Sequence, residues 1–213
     1  MAAGAEWSLC LSLFVVVPGL FLRSTFSVFT VPKTTLVWLA AVLLVGMELG
    51  RVCFTGRFRS FHWRVDGAVA FLLLAIVAST VASPHGHIVW SGVGVRWSGA
   101  WTYMAYAVIL RSFAGSVSRQ RLDSLAVVVA VGATPVVGYA LVQSLGLDPF
   151  DWAPSMSFGT DVMSTFGNPN FSSAFLAMSA PFMLVLAIRR SGGWLIRALG
   201  SAGFVLALGC VGL

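Results

Sequence analysis

The chain has 213 residues, of which 58% are hydrophobic and only 9% charged, and its mean hydropathy is +0.92. That balance excludes an ordinary soluble globular domain and points to a protein whose solvent is lipid. The formal net charge of +6 does not mark a nucleic-acid binder, because the arginines stand singly between apolar runs and are not interleaved with aromatics on one surface.

A bilayer span needs roughly 17 to 25 apolar residues. The sequence offers runs of this kind at 7–29, 34–50, 66–83, 98–114, 123–145, 169–188 and 198–213, and these predict an all-α, polytopic integral membrane protein of about seven helices in one transmembrane domain, 1–213. Pro18-Gly19 interrupts the first run. The preceding MAAGAE lacks the basic residues of a signal peptide, so the run is read as a retained helix. Glu48, near the end of the second run, is placed to pair with Arg51. Asp66 and Asp123 open the third and fifth runs, where a carboxylate suits the positive end of a helix. Cys10, Cys53 and Cys210 fall in or at the ends of apolar runs without metal-ligand or pairing patterns, and read as small packing residues.

The basic residues set an orientation. With the amino terminus cytoplasmic, the inner segments carry ten arginines (51, 57, 59, 64, 111, 119, 121, 189, 190 and 197), and the outer ones only Arg23, Lys33 and Arg96. Seven spans then place the carboxyl terminus outside. The outer loops are 23–33, 83–99 and 145–170. The last holds Asp148, Asp151 and Asp161 and no basic residue. Trp90, Trp97 and Trp152 suit the membrane interface. His85 and His87 form an H-x-H pair without a third ligand type beside it, which is incomplete as a metal site; they and His62 read as loop residues. The aspartates read as turn and loop residues, Asp148-Pro149 being a turn signal. Gln143 is a polar side chain at a costly depth, suited either to bridging helices or to touching substrate.

In STFGNPNFSSAF (164–175) the physical pattern is sharpest. Asn168 before Pro169 predicts an N-cap followed by proline at the first helical position, and Gly167 allows a sharp turn. A capped helix start accounts for the segment. A second reading adds that such an end gathers N–H groups and partial positive charge suited to a phosphate, with Asn170 able to add amide donors.

STFGNPNF followed by Pro181 resembles the corresponding segment of O-antigen ligase-like membrane proteins. FTVPK (29–33), VRWSGAWTYMAY (95–106) and GYALVQSLGLDPFDW (138–152) are similar to three further segments of that family, in matching order. The resemblance implies transfer of a glycan from an undecaprenyl-diphosphate carrier to an acceptor at the outer face of the bacterial cytoplasmic membrane. It also implies arginine-assisted stabilisation of the diphosphate leaving group, with no metal or other cofactor. On this chain it points to Arg96, Gly167, Asn168 and Asn170 as donor-binding residues and leaves the catalytic residues unknown; an interfacial arginine reaching toward lipid headgroups is the alternative for Arg96. The family's catalytic histidine belongs to a large outer loop later in its chain, which His85 and His87 do not match. The present chain stops at LALGCVGL, so the expectation is an apparently truncated, amino-terminal portion that is inactive alone. A transporter or channel component is the rival class, since Asn-Pro motifs also begin the half-helices of aquaporin-like channels, but no second Asn-Pro motif or inverted repeat accompanies this one. A non-catalytic membrane scaffold is the third.

Overall fold

The computed structural model describes residues 2–93, 96–152, 162–189 and 193–211. Among them every regular element is helical: α1 (Ala2–Gly19), α2 (Thr30–Thr55), α3 (Trp63–Ala82), α4 (Gly86–Ser91), α5 (Ala100–Ala114), α6 (Leu122–Ser144), α7 (Pro169–Ile188) and α8 (Trp194–Val211). Short 3-10 turns occupy Arg119–Arg121 and Ser164–Phe166.

Four of these helices are long and apolar enough to cross a membrane: α2, α3, α6 with its preceding turn (Arg119–Ser144), and α7. At about 1.5 Å per residue, the 26 residues of α2 extend for about 39 Å, more than a hydrocarbon core of about 30 Å. The apolar parts of α1 and α8 are shorter, Gly4–Gly19 and Ile196–Gly209. α5 has 15 residues, about 22 Å. The first apolar run does not continue to residue 29 as one helix. α1 begins at Ala2 and closes on Pro18-Gly19, and Leu20–Phe29 is irregular. The 83–99 loop contains the six-residue helix α4, which apolar periodicity alone did not suggest.

Local chemistry sets several boundaries. α2 ends where Gly56 takes a left-handed conformation (φ 64°) and donates its N–H to the Val52 carbonyl at 2.8 Å. At the start of α3 the Asp66 carboxylate reaches back to accept from the His62 N–H at 2.5 Å. α7 starts at Pro169, with Asn168 as its cap.

The chain divides into two compact units. One comprises the residues up to Leu13 together with Arg23–Ser118. Here α2 and α3 each pack on α5. Val37 and Ala41 of α2 meet Ala105 of α5 in a buried cluster, and Trp7 stacks on Phe113 with ring centroids 5.5 Å apart. The polar end of this unit is an ion network built around one buried carboxylate. Glu6, 2% exposed, pairs with Arg51 and, at 2.9 Å, with Arg59. Arg51 also pairs with Glu48 at 2.7 Å, and Arg111 pairs with Asp66. Arg59 further donates to the Ser112 carbonyl (3.3 Å) and the Ser116 hydroxyl (2.9 Å). Such a network adds little net stability over an apolar replacement, but losing one partner strands a buried charge at a cost of about 3–5 kcal/mol.

The other unit comprises Phe14–Leu22 with the residues from Arg119 onward. α7 packs against both α6 and α8 around Ala133, Val136, Ala140, Leu176, Met183 and Ala207. Close approach is built on glycine. A Cβ on Gly132 would lie 1.9 Å from the Phe14 carbonyl oxygen, and one on Gly200 would lie 2.6 Å from the Ala187 nitrogen. Asp123, in the first turn of α6, pairs with Arg189 at 2.5 Å.

Candidate functional site

The start of α7 is held from beneath by side chains that converge from α6 and the segment after it. Tyr139 and Gln143 are four residues apart in α6, which puts them on one helical face. Both donate to Asp148: the Tyr139 hydroxyl at 2.9 Å and the Gln143 amide at 2.8 Å. The Phe150 N–H (3.0 Å) and the Trp152 indole N–H (2.9 Å) donate to the same carboxylate. Gly146, at φ 68°, turns the chain so that Asp148 folds back onto α6. Phe21 stacks on Tyr139 at 5.5 Å and meets Phe150 edge-on at 6.0 Å, closing the cluster on its apolar side.

Burial by itself pushes the Asp148 carboxyl up. The hydrogen bonds from Gln143, the Phe150 backbone, Tyr139 and Trp152 more than offset it and hold the group below the ordinary carboxylate value. Asp148 is thus a charged acceptor committed to four donors.

Gln143, 3% exposed, carries the connection onward. Its amide oxygen accepts from the Met163 N–H at 3.0 Å and the Ser164 N–H at 2.7 Å. Ser164 is fully buried, donates its hydroxyl to the Val136 carbonyl (2.7 Å), and adopts φ 51°, a left-handed conformation that costs a residue with a Cβ. Thr165 donates to the Pro18 carbonyl at 2.7 Å. Gly167 is also left-handed, φ 69°. The Asn168 side chain then accepts from the Asn170 N–H at 2.9 Å, and Pro169 occupies the first position of α7. Ser172 donates to the carbonyls of Met163 (3.0 Å) and Asn168 (3.2 Å), tying the first turn of α7 to the segment that precedes it.

Of the site residues expected from sequence, Gly167, Asn168 and Asn170 therefore sit together in the second unit, on a rigid base. Asn168 acts as the N-cap, and Asn170 is exposed. Arg96 belongs to the first unit and is also exposed, its N–H bonded to the Val93 carbonyl at 2.8 Å. Next to it Trp97 is left-handed at φ 49°; its carbonyl accepts from Thr102 (2.6 Å), and its ring packs edge-on against Trp38 at 5.7 Å. Trp38 in turn donates its indole N–H to the Thr102 hydroxyl at 3.0 Å.

The side-chain reading of Asp148 as a turn residue captured one of its bonds and missed the others. Gln143 bridges α6 to the segment before α7. Trp152, expected at the membrane interface, donates to Asp148 and to Tyr139. Asp161 lies outside the described residues. His62, His85 and His87 are exposed, and among the described residues no group of three His, Cys, Asp or Glu side chains is placed to hold a metal ion. Cys10 is buried and Cys53 exposed, both as free thiols. Glu6 and its arginines went unnoticed in the sequence because the partners stand 45 and 53 residues away. The signal that could have found the Asp148 clamp was present: Tyr-x-x-x-Gln on one helical face, then Gly-x-Asp.

Together these observations define an all-helical chain with four helices long and apolar enough to cross a membrane and a braced helix start at one end of its second unit. Compared with known proteins, the chain matches no family model, no curated protein and no solved structure.

Proposed function

We propose that this chain works as the membrane part of an O-antigen ligase-like glycan transferase in a bacterial cytoplasmic membrane. In this reading it crosses the membrane about seven times, α1, α5 and α8 joining the four long helices, with its amino terminus cytoplasmic. The segments around Arg96 and Gly167–Asn170 face outward, and the donor is a glycan on undecaprenyl diphosphate. The start of α7 offers the diphosphate its positive end, and by the same resemblance Arg96 is a donor-binding cation. The positive end acts on charge that grows as the glycosidic carbon leaves its phosphate oxygen.

The observation that carries the proposal is the placement of backbone strain. Among the described residues, the non-glycine positions with positive φ are Trp97 (49°) and Ser164 (51°). Each lies inside a segment that resembles the transferase family, one beside Arg96 and the other just ahead of Gly167. Such conformations cost roughly 1–3 kcal/mol and persist where surrounding contacts over-determine them, typically at functional sites. The contacts that hold Ser164 come from α6, from the Val136 carbonyl and from Gln143, the latter within a third family-like segment.

Deletion of the encoding gene tests the reading. The acceptor should lose its glycan while the undecaprenyl-linked form accumulates, and the wild-type gene should reverse both changes. Arg96→Ala should fail to restore transfer at normal membrane levels. Asn168→Asp keeps a good cap but places negative charge where the diphosphate would sit, so it should be stable and impaired. An unchanged acceptor glycan on deletion, or full rescue by both variants, overturns the proposal.

A further inference from the structure

We propose that the first unit holds an anionic phospholipid in the cleft between α2 and α3, with its acyl chain over α5 and its phosphate at the arginine-bearing rim. This proposal does not rest on the transferase reading. A cavity of about 270 Å³ lies between the last turns of α2, the first turns of α3 and the last turns of α5. Its walls include Leu44, Leu49, Leu73 and Val108, and its polar end is formed by Glu48, Arg59 and Arg111. The site is therefore amphipathic along its length, as a lipid is.

The charges at the polar end divide into two sets. Arg51, Arg59 and Arg111 are matched internally by Glu6, Glu48 and Asp66. Arg57, in the loop after α2, and Arg64, in the first turn of α3, are exposed, each stands two residues along the chain from a member of that set (Arg59 and Asp66), and both are in excess of that balance. Arg64 lies over the Trp63 ring, 5.6 Å from its centroid. Phe54, Phe58, Phe61 and Trp63 are all more than 70% exposed on the same stretch. Aromatic rings alternating with guanidinium groups suit the boundary between headgroups and acyl chains, where the rings bury and the cations reach phosphate. Basic pockets between membrane helices recognise anionic headgroups by the same chemistry. A zwitterionic lipid would supply the chain and the phosphate, but its own cation would cancel the attraction to Arg57 and Arg64. The occupant is thus an anionic glycerophospholipid of the leaflet that this loop faces.

Native mass spectrometry of the purified protein in neutral detergent, titrated with phosphatidylglycerol, phosphatidylcholine or glycerol phosphate, tests the assignment. Phosphatidylglycerol should add as one retained lipid, while phosphatidylcholine and the chainless glycerol phosphate should not. The double variant Arg57→Gln with Arg64→Gln removes two surface cations and should weaken phosphatidylglycerol binding about thirtyfold. Leu73→Trp fills the cleft and keeps the rim charges, so it should abolish the retained lipid while leaving the helical circular dichroism unchanged. Should Leu73→Trp fail to fold, the rim variant decides, because its substitutions are on exposed positions. Equal retention of phosphatidylcholine, or wild-type affinity in the rim variant or in folded Leu73→Trp, overturns the proposal.

Discussion

Replacing Gln143 with leucine tests the clamp beneath α7 at its centre. The wild-type side chain gives one hydrogen bond to Asp148 (2.8 Å) and receives two from the Met163 and Ser164 N–H groups (3.0 and 2.7 Å), all around a residue that is 3% exposed. Leucine has nearly the same bulk and leaves two buried donors unmatched, at about 1–3 kcal/mol each, and removes one donor from a carboxylate. Some relaxation is expected, so the combined loss should be about 3–5 kcal/mol, or roughly 6–20 °C in unfolding midpoint for a chain of this size. Thermal unfolding of the purified protein in detergent, followed by circular dichroism, measures it. A companion variant, Gln143→Glu, keeps an acceptor for the two N–H groups and sets a second carboxylate against Asp148. Its defect should be large at pH 8 and smaller at pH 5, where the introduced carboxyl can hold a proton and donate as the amide did. A leucine variant within about 1 kcal/mol of wild type would refute the claim that this side chain holds the segment before α7.

Asp148 makes a complementary prediction about acid. Its carboxyl is held below the unfolded value of about 4, so the stability it contributes is present above that pH and disappears as pH falls through the lower folded value. The difference in midpoint between wild type and Asp148→Asn should thus stay constant above about pH 5 and shrink below about pH 4. Glu6→Ala leaves Arg51 and Arg59 without their buried partner and should cost about 3–5 kcal/mol by the same unfolding measurement. Gly132→Ala drives a methyl group into the Phe14 carbonyl and should destabilise by about 1–3 kcal/mol or more, whereas Gly138→Ala, on the same helix with open space around it, should stabilise by up to about 1 kcal/mol.

What the sequence made legible followed the range of the interaction. Asn168-Pro169 fixes the start of α7 through contacts within two residues, and the apolar run there coincides with the helix, 169–188. Glu48 and Arg51 are three apart on α2 and pair as expected. Asp66 and Asp123 fall in the first turns of α3 and α6. Hydropathy over-read the first run, because it continues through Pro18-Gly19 into apolar residues that are not helical. Of its seven runs, four become, among the described residues, helices of spanning length and composition. The ties from Gln143 and Thr165 were beyond local reading. Gln143 finds its N–H donors 20 and 21 residues downstream, and Thr165 finds its acceptor 147 residues upstream, so their partners become visible only once the chain is folded.

The arginines of the first unit also have a history in time. In the proposed orientation Arg51, Arg59 and Arg111 count among the residues that retain their loops on the cytoplasmic side while the chain enters the membrane, a stage at which carboxylates count for little. Once the helices have met, the same three guanidinium groups are matched by Glu6, Glu48 and Asp66. In that orientation they would act first as free cations that choose a direction and later as ties that fix neighbours. A substitution at Arg51 would accordingly have two separable signatures: inverted chains among newly made protein, and a loosened α1 among those inserted correctly.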